Sequence, residues 1–281
     1  MRLLVAVGLG AAASAVGWTV ARGIFAAPLF ARRNHRGAMV PVGAGVLLVV
    51  AIVAADAVLV VVDRFADRHP GDIGATALVI AAVAGFCVLG LLDDLAAVGD
   101  DRGFTGHLRA LAQGRLTTGG LKLVGGGLLA VVVSGMVHQG GVGALFVDAL
   151  LVALGANVGN LFDRAPGRTI KVGAFAMVAV VLLASAADRA QLTGVALMLG
   201  AALGLLGFDL GEQLMLGDAG SNAIGATAAL GVVLTCGLPV RIGVLVVLLA
   251  LNVASERVSF SRVIDAVGPL RFLDRLGRNQ R

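Results

Sequence analysis

Three short stretches hold the residues whose types and spacing could do chemistry. GLLDDL (90–95) sets Asp93 beside Asp94, NVGNLFDRAPGR (157–168) spaces Asn157, Asn160 and Asp163 three residues apart, and MLGDAGSN (215–222) presents Asp218 and Asn222. Carboxylates and amides are hard oxygen donors of the kind Mg²⁺ takes, with sites left over for phosphate oxygens. Lys122, Arg164, Arg168 and Lys171 lie within or between the same stretches and could neutralise phosphate charge. Acidic ligands combined with basic clamps suit phosphoryl transfer, where catalysis is mostly positioning and charge stabilisation.

The surrounding chain decides where such chemistry would happen. It is 58% hydrophobic and only 14% charged, with no Tyr, one Trp and 41 Gly. Mean hydropathy is +0.97. A soluble domain carries about 25% charged residues, so the polar surface here is too small to cover a water-soluble globule. Nine apolar runs are long enough for a membrane: 3–21, 39–62, 73–92, 119–137, 142–161, 171–187, 191–208, 219–236 and 238–254. A span of a ~30 Å hydrocarbon core takes about 20 helical residues, and only helices satisfy their own backbone hydrogen bonds there. The expected fold is therefore all-α, a polytopic membrane helix bundle of about nine transmembrane helices. Gly8/Gly10/Gly17 and Gly200/Gly204/Gly207 are spaced to let helices approach closely.

Charge sets the expected orientation. With the 22–38 loop inside, seventeen of the 22 Lys and Arg fall on the cytoplasmic side and five outside, a positive-inside bias. The N-terminus is then out and the C-terminus cytoplasmic. The first run reads as a retained span, because no small-residue cleavage site follows it. The three acidic stretches lie on the cytoplasmic side, each beside a span end. Topology accounts for the basic pI, so no nucleic-acid partner is implied. Cys87 and Cys236 fall inside apolar runs and read as small hydrophobes. Asp56, in the middle of a span, reads as a helix–helix hydrogen-bonding residue, and Asp100 and Asp101 as solvated turn residues. His107 reads as structural, and Lys122 has snorkelling to the interface as its plainest role.

The order GLLDDL, GFTGHLRALAQGRLTTGGLK (103–122), NVGNLFDRAPGRTIK (157–171) and MLGDAGSNAIGA (215–226), preceded by RRNHRGAMVPVGAG (32–45), resembles the polyprenyl-phosphate sugar-1-phosphate transferase superfamily. The likeness covers residues 30–226. It implies transfer of a sugar-1-phosphate from a UDP-sugar to polyprenyl phosphate for cell-envelope glycan synthesis, with Mg²⁺ (or Mn²⁺) as cofactor. The setting would be the bacterial inner membrane, with homodimerisation left open. By the same resemblance Asp93 and Asp94 match the pair that handles the lipid phosphate. Asp163 matches the Asp of Asn-x-x-Asn-x-x-Asp, with Asn157 and Asn160 its asparagines, and Asp218 matches a metal-binding Asp; Asp163 and Asp218 together would hold the metal and the diphosphate. Lys122, Arg164 and Arg168 would meet phosphate.

Two features depart from the family pattern. Asp163 is followed by Arg-Ala-Pro-Gly-Arg rather than by Gly and a further Asp-Gly, and no histidine-rich last loop is present. In its place, after the 1–254 membrane domain, lies a basic cytoplasmic segment, 255–281, which reads as a surface-lying amphipathic tail, with a donor-binding tail as the alternative. These departures favour a second reading, a non-catalytic scaffold or regulator of envelope synthesis. A third, a lipid transporter or flippase, would make Asp56 a pathway residue. A prenyltransferase reading fails for want of aspartates repeated at helical spacing within one motif.

Overall fold

The computed structural model describes residues 1–67, 71–96, 106, 109–110, 112–137 and 140–278. Asp100, Asp101 and His107 lie outside them. Each of the nine apolar runs forms a helix: α1 Arg2–Phe25, α2 Val46–Phe65, α3 Ile73–Ala96, α4 Thr118–Val137, α5 Val142–Phe162, α6 Arg168–Leu183, α7 Thr193–Leu210, α8 Gly217–Thr235 and α9 Leu238–Ser255. Two short helices follow, α10 Phe260–Ala266 and α11 Gly268–Arg275. Seven described helices are long and apolar enough to cross a membrane: α1 to α5, α9, and Asp188–Leu210, in which a 3₁₀ turn leads into α7. The chain is thus an all-helical, multi-pass membrane protein. α6, with 16 residues, is shorter, and α8 is the more polar remaining helix.

α8 is tolerated because protein, not lipid, covers it. It is buried almost throughout, from Gly217 to Leu234, between α3, α5 and α6. Its small residues make that packing close: a Cβ on Gly159 of α5 would lie 2.2 Å from the Ser221 carbonyl oxygen. The α1–α7 contact uses the same device. A Cβ on Gly10, Gly200 or Gly204 would strike the backbone of the facing helix, whereas Gly8 and Gly207 have nothing within 4 Å. Only half of the predicted glycine faces therefore serve as contacts. α9 has no buried residue and flanks α5 at the bundle's edge.

The all-α expectation needs one local correction. Residues 39–45 are not helical: Met39–Pro41 is a strand, β2, paired antiparallel with β1, Ala31–Arg33. Pro41 and the positive φ of Gly43 (+77°) stop the helix from starting before Val46. The hairpin is held to the bundle. Asn34 folds its tip by accepting the Arg36 and Ala38 backbone N–H groups and donates to Glu212 at 2.6 Å. Pro41 accepts the Met215 N–H at 2.7 Å.

A second correction concerns Asp56. It is partly buried on α2 but makes no hydrogen bond to any described residue, so it does not join two helices as expected. Other acids do so at that end of the bundle. Asp63 pairs with Arg2, and the buried Asp148 with Arg241 at 2.9 Å. Cys87 and Cys236 are free thiols, as expected of small hydrophobes.

Candidate functional site

The four acidic and basic motifs meet around the first turn of α8. A helix start leaves backbone N–H groups without intrahelical partners, and Asp94 of α3 supplies acceptors for two of them. Its Oδ1 takes the Asp218 N–H at 2.9 Å and its Oδ2 the Ala219 N–H at 3.1 Å. The GLLDD sequence explains how α3 comes so near. Gly90 stands one turn before Asp94, and a Cβ there would lie 2.2 Å from the Asp218 carbonyl oxygen. Gly217 completes the joint: its φ is +67°, and a Cβ would lie 2.4 Å from the Asp94 carboxylate. No side chain fits that turn.

Asp218 then projects from α8 toward α4 and α5. Its Oδ2 accepts from Lys122 Nζ at 2.5 Å and from Asn160 Nδ2 at 3.2 Å. Asp93 lies close enough to act on the same carboxyl group. Lys122 therefore does not snorkel outward; α4, capped by Thr117 Oγ1 on the Gly120 N–H at 2.9 Å, turns its ammonium inward. Asp163, just past the end of α5, is within electrostatic reach of Asp218 and Asp94. Burial pushes its carboxyl well above the ordinary value, and Asp209, Asp218 and Asp94 push the same way against a 3.4 Å hydrogen bond from Thr169. A cavity of about 430 Å³ opens beside Asp163, lined by Arg164, Pro166, Asp209 and Glu212 and by Arg33, Asn34 and His35 of the hairpin. Arg164 is exposed there.

Two expected site residues face elsewhere. Asn157 points away from the cluster and donates to Asn252 Oδ1 of α9 at 2.5 Å, which binds α5 to α9. Arg168 is buried and committed to the C-terminal segment. Its guanidinium grips Asp274 through Nε at 2.7 Å and Nη2 at 3.0 Å, and Nη1 reaches Ser261 at 2.8 Å. Arg278 joins Asp274 at 2.5 Å and also caps the Pro166 carbonyl. Lys171 closes the end of α11 by donating to the carbonyls of Leu273, Asp274 and Leu276. Through these bonds residues 260–278 dock on the 163–167 turn and the first turn of α6. Phe260 stacks on Phe162, with centroids 5.4 Å apart.

Several participants went unassigned in the sequence. Asp209 accepts the Gly167 N–H at 2.9 Å and so ties the end of α7 to the turn that starts α6. Arg32 ties the hairpin to the end of α3 through the Leu95 carbonyl at 3.2 Å. The Gly90–Asp94 spacing was the available signal for Asp94 as a cap, since i and i+4 share one helix face.

The residues present suit a divalent cation. Among the described residues no three His, Cys, Asp or Glu side chains converge as a closed metal cage. Mg²⁺ does not need one: it is usually held by one or two carboxylates, water and substrate phosphate, and Asp218 with Asp93 supplies two. Compared with known proteins, the chain matches no family model and no curated protein.

Proposed function

We propose that the chain is a polyprenyl-phosphate sugar-1-phosphate transferase whose site lies at the cytoplasmic membrane face. The observation that carries the reading is the convergence of Asp93, Asp94, Lys122, Asn160 and Asp218 from four helices on one helix start. In this reading all nine helices cross the membrane, the N-terminus is out, and the setting is a bacterial inner membrane. The lipid phosphate would approach from the bilayer and the UDP-sugar from the cavity beside Asp163. A phosphate oxygen attacks the sugar-linked phosphorus; the new P–O bond forms as the bond to UMP breaks, and UMP leaves.

The side chains divide that work. Asp218 and Asp93 would hold Mg²⁺, which when bound neutralises charge on the diphosphate. Lys122 sits where it can pass from Asp218 to a phosphate oxygen. Arg164 stands exposed at the cavity to meet the donor. Asp94 acts through α8 and is a positioning residue, since both of its oxygens hold backbone amides. A phosphate monoester is already largely ionised near neutral pH, so no strong base is required.

The non-catalytic reading keeps the missing histidine-rich loop and the altered Asp163 motif as supports, and adds the commitment of Arg168 to the tail instead of a ligand. Turnover separates the two. Purified protein in detergent with Mg²⁺, undecaprenyl phosphate and a panel of UDP-sugars should release UMP only when lipid phosphate and metal are both present. Silence across the panel, in protein that still binds lipid phosphate, would establish the scaffold reading instead.

A further inference from the structure

Asn222 lies one helical turn below Asp218 on α8. Positions i and i+4 share a face, and helical side chains lean toward the helix N-terminus. Asn222 thus leans toward the turn from which Asp218 reaches Lys122 of α4 and Asn160 of α5. Its side chain is 1% exposed, and neither its Nδ2 nor its Oδ1 has a hydrogen-bond partner among the described residues. Buried amides are nearly always satisfied, because leaving one unpaired forfeits its hydration without return. A leucine of the same branching would fit an apolar core without that cost. The polar group at this position, on the Asp218 face of α8, calls for a ligand that both accepts and donates hydrogen bonds.

A hydrated divalent cation has that character: its waters donate strongly to a carbonyl oxygen, and an adjoining phosphate or carboxylate accepts from an amide. We propose that Asn222 is a ligand-facing residue whose amide holds the water shell of a divalent cation bound at Asp218. The inference rests on the metal part of the function proposed above. It assigns the deep wall of the site to α8 itself, so the MLGDAGSN stretch contributes two side chains to the ligand rather than one. Ser134 provides a built-in contrast. Its hydroxyl is also buried and unpartnered among the described residues, but it lies more than three turns beyond Lys122 on α4.

The test is thermal unfolding of the full-length protein in detergent across a Mn²⁺ titration, with no substrate present. Wild type should be stabilised by Mn²⁺, and Asp218→Asn should not. Asn222→Leu should melt at or above the wild-type temperature without metal, yet need about tenfold more Mn²⁺ or greater for half of the stabilisation, the usual scale for outer-shell partners. Asn222→Asp, which keeps an acceptor, should respond at least as readily as wild type, and Ser134→Ala should respond like it. Asn222→Ala reads the same shift should the leucine variant fail to fold. An Asn222→Leu response at the wild-type Mn²⁺ concentration overturns the inference and leaves the metal at Asp218 standing. No Mn²⁺ response in wild type removes the metal from the site and the inference with it.

Discussion

The two charged regions at this end of the bundle are built on opposite terms. In the tail clamp every charge is answered: Asp274 is held by Arg168 and Arg278, and Lys171 finds three carbonyl acceptors. Around α8 the charges are left in excess. Asp93, Asp94, Asp163 and Asp218 crowd together, Lys122 pairs with Asp218, and the Asn222 amide beneath has no partner among the described residues. Buried ionic groups that are fully paired specify structure, whereas a partner removed from one leaves a costly orphan charge. Perturbed, under-compensated groups gather where a ligand completes them. The contrast reads the clamp as architecture and supports the α8 start as the site of the proposed transfer.

Breaking the clamp should be the largest effect on stability. Asp274→Ala leaves Arg168 and Arg278 facing each other, and about 3–5 kcal/mol of stability should be lost, read as a lower melting temperature and faster proteolysis of the tail. A clamp that melts unchanged would remove its structural role. At the α8 start the large effect should fall on rate. Asp218→Asn should cut UMP release by roughly 10²–10³-fold, the scale for loss of one charge-stabilising group, with little change in melting. Asp94→Ala comes next: loss of a helix cap costs about 0.5–2 kcal/mol, and turnover should fall with it as α8 loses its anchor.

The smallest effect is in pH. Burial works against the charge on Asp274, but the Arg168 hydrogen bond and the charges of Arg168, Arg278 and Lys171 outweigh it and hold the carboxyl below its ordinary value. A carboxyl lowered in the folded state contributes stability that is fully present above its unfolded pKa, about 3.9, and is lost as pH falls through the lower folded value. The clamp's contribution should therefore be flat from pH 8 to pH 5, and the difference in melting between wild type and Asp274→Ala should shrink only below about pH 4. Shrinkage already at pH 6 would contradict it.

Much of this was legible in the sequence where a local pattern suffices. The nine apolar runs became helices because their length and backbone needs leave little choice, and Asp218 and Asp94 met because Gly90 and Gly217 permit contact. Partner choice was not legible. Arg168 looked like a phosphate ligand until Asp274, 106 residues on, took it. Asn157 and Asn160 share one motif, yet only Asn160 reaches the cluster: Asn157, a turn further from the helix end, is taken by Asn252 of α9. β2 of the 31–41 hairpin was hidden at the start of the 39–62 run because Pro41 and Gly43 act through backbone geometry rather than hydropathy.

The most direct measurement is UMP release by wild type and Asp218→Asn, normalised to folded protein, with Mg²⁺, polyprenyl phosphate and the UDP-sugar panel. The account predicts release that requires both lipid phosphate and metal and that nearly vanishes in the variant while its melting temperature holds. Release that persists in Asp218→Asn at the wild-type rate per folded molecule would contradict it.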